Sequence, residues 1–459
     1  MTTVDVQTTP PLLSGAKPLI GHLLEFRGDR QALFRRGFQE HGHVFTIKLG
    51  PQPVAVLIGP DNQEIFFMQT DERLNIAKPY KFLEATFGQV LFIAPHDVYL
   101  RQRPLVLQAF RRQKMMHYVQ VMQREVQRWL DSLGESGELE LTAAINNLVQ
   151  QVAGHALMGE RFQQQVGPEF WELYEDLSRS LDPVLPPHWP LPRFRRRDQA
   201  KARMKEILQP IIAERRRHPE QYDDFLQDFV NQPYPDGAEV EDDVLLALML
   251  GLMFAGHETT AGQAAWTIIQ ILQNPEYQRL VQEEVDAVLP PGREIDEQAM
   301  RRLQHVSWAV RETERLRPSA DLLLRHVDEP IEAGGYQIPA GWRVMVAAEV
   351  AHMLPELWQN PERFDPLRYA PGREEHKQHR FSLIGFGGGT HKCLGMNFAN
   401  NEMMIITALL FQQFELELLT ADPEIRRGVG ANRPSETWLR YRARQRTAAH
   451  EPEEQPEAV

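Results

Sequence analysis

The sequence predicts a mainly α-helical chain with a small β portion, an α+β fold built on one core. Three observations predict it. Apolar residues recur at three- and four-residue spacing through most of the stretch from Asp61 to Asn274. Short alternating runs of β type flank that stretch on either side. The composition is 42% apolar over 459 residues, ample for a large core, and no linker-like segment divides it.

The elements follow in order. His43–Leu49 and Pro53–Ile58 flank Gly50-Pro51-Gln52 and read as a β-hairpin. Helical periodicity then covers Met115–Leu133, Thr142–Met158, Gly167–Leu181 and Arg197–Arg217. Pro183–Pro192 is too rich in proline for regular helix, so it is either a mobile lid or an ordinary surface loop. Asp242–Gln273 is the longest apolar helix, central to the fold and ended by Asn274-Pro275. A helix over Glu297–Leu316 precedes short β segments from Leu322 to Val350, and Met396–Phe411 closes the helical series. The expected organisation is a flexible segment over 1–17, a single domain over 18–444 and a disordered acidic tail over 445–459.

The net charge of −13 argues against a general nucleic-acid binder. A single cysteine needs no oxidising compartment. The N-terminus has neither a basic region nor an apolar one, and the longest apolar run, Val244–Gly256, is shorter than the ~20 residues that span a bilayer. The expectation is a cytoplasmic protein without a membrane anchor, and a monomer.

That one cysteine, Cys393, lies in Phe386-Gly-Gly-Gly-Thr-His-Lys-Cys-Leu-Gly395. Three glycines let backbone approach a large flat ligand closely. A helix follows at once, and the positive end of its dipole favours thiolate over thiol. An inert buried cysteine is the plain alternative. Glu312 and Arg315 stand at i, i+3 on one helix face, where an ion pair forms. Pro361-Glu-Arg-Phe364 offers Arg363, and Ala255-Gly-His-Glu-Thr-Thr260 interrupts the long apolar helix with polar groups.

Taken together and in this order, these segments resemble the cytochrome P-450 family of haem-thiolate monooxygenases. The haem-loop pattern falls on Phe386, Gly389, His391, Cys393 and Gly395. The Glu-x-x-Arg pair falls on Glu312 and Arg315, its arginine partner on Arg363, and the oxygen-binding stretch on Ala255 to Thr260. The likeness runs from about Pro18 to Arg444. Within the family the chain is similar to sterol 14α-demethylases and their bacterial relatives, through Ala77–Gly88 and Leu439–Arg444. Two positions depart from that branch. Glu258 stands where it has histidine before the helix threonine, and Ala85 where it has proline.

The resemblance implies a P-450 fold, haem b (iron protoporphyrin IX) and O₂. Cys393 would ligate the iron. His391, Arg103, Arg325 and Tyr80 would hold the cofactor's carboxylates, with Phe386, Gly387, Ala255 and Gly256 against it. Thr259 and Glu258 would carry protons in a dry pocket, although hydroxyls that merely back-bond and bend the helix would look the same in sequence. Phe82, Phe87, Phe92 and Met253 would line the substrate pocket. Glu312, Arg315 and Arg363 would form a structural network. Electrons would come from a ferredoxin or flavodoxin with its NAD(P)H-dependent reductase, docking near Arg111, Arg112, Lys114 and Lys392. The substrate would be an apolar molecule of sterol, terpenoid, fatty-acid or polyketide type. The alternatives are a peroxygenase, a non-oxygenating haem-thiolate isomerase, or a haem-based gas sensor.

Overall fold

The computed structural model describes residues 8–444, apart from 160, 161, 163, 164, 184, 223 and 291. The expectations for 1–7 and for the acidic tail lie outside the described residues. Residues 8–17 belong with the body of the protein. Leu13 is buried, and its neighbours bridge to the first strand through Thr46 N–H to Pro11 O (2.8 Å) and Leu13 N–H to Thr46 O (2.9 Å).

The hairpin forms as predicted, with β1 (Val44–Leu49) antiparallel to β2 (Gln52–Leu57) in the register Val44↔Leu57 to Leu49↔Gln52. Further along come β3 (Leu74–Asn75), β4 (Ser136–Glu140), β5 (Leu322–Val327), β6 (Ile331–Ala333), β7 (Tyr336–Ile338) and β8 (Arg343–Ala347). The last strands are β9 (Phe414–Leu418), β10 (Ile425–Arg427), β11 (Asn432–Pro434) and β12 (Trp438–Ala443). The N-terminal hairpin joins residues nearly 300 positions away, giving a five-stranded sheet ordered β1-β2-β8-β5-β3. Only β2 and β8 pair in parallel. Three smaller sheets are β4-β12-β9, β6-β7 and β10-β11.

Helices make the body. The predicted periods appear as Arg112–Leu133, Leu141–Met158, Glu169–Arg179 and Pro192–Arg217. The central helix, Asp242–Leu272, stops where expected, because Pro275 starts the next helix and lacks the N–H that would continue this one. By length and composition the central helix could cross a membrane, but here it runs through the main core with most of its side chains buried. The helix predicted over Glu297–Leu316 is instead two, Glu297–Arg302 and Gln304–Leu316. The physical reason is a cap from another helix. Glu284 accepts the N–H groups of His305 (2.7 Å) and Val306 (3.0 Å), which satisfies a new helix start and ends the old one. The proline-rich Pro183–Pro192 segment is not helical until Pro192. Arg197 donates to Pro187 O (2.9 Å) and Arg193 to Asp182 (2.5 Å), so the helix that follows holds it.

Candidate functional site

The cysteine loop leads into the helix Met396–Gln413. Gly387 (φ +71°) and Gly389 (φ +62°) take left-handed backbone, and a side chain at Gly389 would run into Phe67 O at 2.8 Å. The turn closes with Cys393 N–H donating to Phe386 O (2.9 Å). Cys393 is accessible, yet desolvation by the surrounding protein is the main cause raising its thiol pKa. Glu314 pushes in the same direction, while the Gly395 N–H and Lys392 oppose it. Burial thus acts against the thiolate that the dipole of the following helix favours.

The central helix shows the matching feature. Ala255 is exposed although its neighbours are buried, and a Cβ on Gly256 would meet nothing within 4 Å. Thr259 Oγ donates to Ala255 O (2.6 Å), the back-bond of a helix hydroxyl, and Thr259 O accepts from Ser319 Oγ (2.9 Å). Glu258 lies on a different face. Its carboxylate approaches Gly430 between β10 and β11, and burial raises its pKa while Arg433 opposes.

Three basic side chains expected at the cofactor's carboxylates, Arg325, His391 and Arg103, have incomplete partners within the chain. Arg325 is buried, donating to Thr70 Oγ1 (3.1 Å) and Leu324 O (2.8 Å). With no carboxylate paired to it, burial brings its pKa down to about 10. His391 bonds Asp71 through Nε2 (2.6 Å), and its Nδ1 is buried without a partner. Asp71 also meets His96 Nδ1 (2.9 Å). Tyr99 stacks on His391 with centroids 4.0 Å apart and lies beside Arg103, whose Nε is likewise buried and unpartnered. Tyr80 accepts from the Leu324 N–H (3.1 Å). The unpaired Arg325 guanidinium and the unbonded Arg103 Nε and His391 Nδ1 are polar groups that a bound ligand with acceptor oxygens can satisfy.

The third cluster is the reverse case. Arg315 and Glu312 are fully buried and doubly bonded (2.9 and 2.8 Å). Sequence analysis placed Arg363 beside them, and the structure corrects this. Arg363 is exposed and supplies only its carbonyl, to Arg315 (3.2 Å). The second arginine is Arg368, fully buried, which donates to Glu312 (3.0 Å) and Glu375 (2.5 Å). An irregular, proline-punctuated segment decides which arginine turns inward, and side-chain spacing carries no signal of that choice. His352 was also missed. It links Arg315 O (3.1 Å) to the Ile384 N–H (2.9 Å) at the start of the cysteine loop, and burial pushes its pKa down to about 3. Glu314 lies against Gly385, just ahead of that loop, where any side chain would collide with it. Of the four residues expected in the substrate pocket, Phe87 lines a cavity of about 690 Å³ and stacks on Phe254 (4.7 Å). Phe92 packs over Gly251, Phe82 is half-buried against the core, and Met253 is buried within it.

An accessible thiol in a glycine loop, a polar break in a long apolar helix and basic groups with incomplete partners are the features a haem-binding protein needs. Comparison agrees: the cytochrome P450 family model matches residues 10–436. The chain is 33% identical over 415 residues to a sterol 14α-demethylase of Mycolicibacterium vanbaalenii, covering 89% of this chain and 91% of the relative. It is 32% identical to a sterol 14-demethylase of Arabidopsis thaliana, with 91% and 87% covered. Among solved structures it resembles retinoic-acid-bound cyanobacterial CYP120A1, with TM-score 0.85 and 24% identity over 96% of this chain and all of that one. The chain belongs to the cytochrome P450 family and is a haem monooxygenase, an oxidoreductase.

Proposed function

We propose that the protein is a soluble, cytoplasmic haem-thiolate monooxygenase that inserts one atom of O₂ into an apolar small molecule, with electrons from a separate ferredoxin or flavodoxin. The observation that carries the cofactor geometry is the buried Arg325 guanidinium with no carboxylate partner, beside the buried, unbonded nitrogens Arg103 Nε and His391 Nδ1. Two propionates of haem b would supply the missing carboxylates, and Arg forks suit them. Cys393, accessible at the end of the glycine loop, would hold the iron as thiolate. Haem, when bound, supplies the activation of O₂. Ala255 and Gly256 leave room beside the central helix. Thr259 would release its back-bond to hold a proton at the pocket, with Glu258 carrying protons in from the β10–β11 side. Burial raises the Glu258 carboxyl pKa, the direction that suits a group taking up and passing on protons.

Cys393→Ser tests the central assignment. The native ferrous carbonyl complex should show the red-shifted Soret band of thiolate ligation, and the variant should lose both that band and oxygenation. A native band at the position of histidine-ligated haem would overturn the assignment.

A further inference from the structure

The cavity of about 690 Å³ lies between the helices Lys81–Phe87 and Pro192–Arg217 and the first half of the central helix. That volume falls in the range of small-molecule sites. Its deeper wall is apolar, with Phe87, Leu246 and Leu250, and its rim carries both signs of charge. Each acidic group on the rim is already engaged. Asp198 takes Arg197 (2.8 Å), Asp243 takes Lys205 (2.5 Å) and Glu241 takes the Tyr234 hydroxyl (2.8 Å). Arg101 lies over the Tyr234 ring (3.7 Å) and near Asp236 (4.0 Å). Among the described residues, Lys201 is the one cation of the cavity wall with no carboxylate within ion-pair distance. Its only hydrogen bond is a long one, to Ala85 O (3.4 Å).

We propose that Lys201 anchors the carboxylate of the substrate, so that this enzyme takes a long apolar monocarboxylic acid, head at Lys201 and tail toward Ala255. The inference rests on the monooxygenase reading and adds the substrate class to it. A partly buried ammonium is held below its usual pKa chiefly by desolvation, so an arriving anion restores the charge partner that the fold omits. Length follows from the helix. Asp243, whose charge acts on Lys201, and Ala255 are twelve residues apart, about 18 Å along the helix axis. Phe87 lines the cavity and its ring lies 4.7 Å from that of Phe254, the residue before Ala255, so the tail would run along aromatic rings. A short acid held at Lys201 would not reach the oxidation site.

Calorimetric titration of the haem-loaded enzyme with hexadecanoic acid, hexadecan-1-ol and octanoic acid tests this. The C16 acid should bind about tenfold to a hundredfold more tightly than the C16 alcohol, the preference of one charge-assisted bond. Octanoic acid should bind weakly. Lys201→Met should abolish the preference for acid over alcohol, Lys201→Arg should keep most of it, and Arg101→Met should leave it in place. Equal binding of acid and alcohol by the native enzyme, or an unchanged ratio in Lys201→Met, would overturn the proposal. The ferrous carbonyl band keeps the two readings separable. A native thiolate band without acid preference defeats the carboxylate anchor alone, and a histidine-type band defeats the monooxygenase reading first. The same band in Lys201→Met certifies that the variant is folded.

Discussion

Two buried arginine clusters, around Arg315 and around Arg325, differ in whether their charges are paired. Around Arg315, each buried charge has found an opposite charge within the chain. Glu312 takes Arg315, Arg368, the Asp365 N–H and the Tyr369 hydroxyl. Arg315 and Arg368 also flank Trp358 at 5.3 and 5.8 Å. Around Arg325 the opposite holds, with a desolvated cation and two unbonded nitrogens. A saturated cluster, whose buried charges are all paired, reads as a structural device, and an unsaturated one, a desolvated cation with no carboxylate partner, reads as a site.

The largest effect that tests this contrast is loss of one member of the saturated network. Arg315→Ala strands Glu312 in the interior and should cost about 3–5 kcal/mol, giving aggregated or haem-free protein. Arg363→Ala, at the position the sequence nominates, should change stability by less than about 0.5 kcal/mol, since its side chain is exposed. Chemical denaturation of both variants checks the pair. Comparable losses would return Arg363 to the network.

Next in size is a pH effect at Glu314, whose carboxyl is pushed up from 4.5 to about 7, mainly by burial, with Arg311 and backbone N–H groups opposing. The folded state therefore keeps this proton at pH values where the unfolded chain has lost it. Stability should fall as pH rises from about 4.5 to 7, by at most about 3 kcal/mol from this group. Glu314→Gln should flatten that fall. A variant with the native pH profile would show that the carboxyl titrates normally.

The unsaturated cluster predicts a change of sign. Arg325→Met removes an unpaired buried cation, so the haem-free chain should gain about 1–2 kcal/mol and melt higher. The same substitution should speed haem loss from the loaded protein, because a charge-assisted bond to the cofactor is gone. Arg315→Met should be destabilising in both forms. If Arg325→Met destabilised the haem-free chain as well, Arg325 would belong to the scaffold.

The difference between the clusters also explains what was legible in the sequence. Hydrophobic period, the Asn274-Pro275 stop and the hairpin around Gly50 are local signals, and the corresponding elements stand within a few residues of their predicted bounds. Glu312 and Arg315 were readable because three residues along a helix fixes their relation. Arg368, His352 and the helix break before Gln304 were not, since each depends on a partner 20 to 60 residues away. The thiol was expected to be acidic from the dipole of its helix, but desolvation is a property of the assembled interior. The rim of the cavity was hidden for a related reason. Lys201 looks like any lysine of a solvated helix face until its neighbours' charges are seen to be spent on one another.

The smallest expected effect concerns the proposed docking face for the electron donor. Four residues, Arg111, Arg112, Lys114 and Lys392, read as one basic cluster, but the fold has already neutralised part of it. Arg112 is paired with Glu297 (2.7 Å) and Lys114 with Asp228 (3.3 Å). Lys392, exposed beside the cysteine, has no carboxylate within ion-pair distance among the described residues. An acidic ferredoxin would be attracted chiefly by charge that is not offset locally, and such rim charges act on the rate of encounter. Lys392→Glu should slow reduction by about twofold to fivefold at low salt, with the difference vanishing as ionic strength rises. Replacing the Arg112–Glu297 pair by Gln at both positions should do less than Lys392→Glu, because the two paired charges contribute little net charge. Stopped-flow reduction across a salt series separates the cases. Equal slowing at both positions would show that the donor reads the whole patch, paired or not, and that completed bonds do not retire a surface charge as they do a buried one.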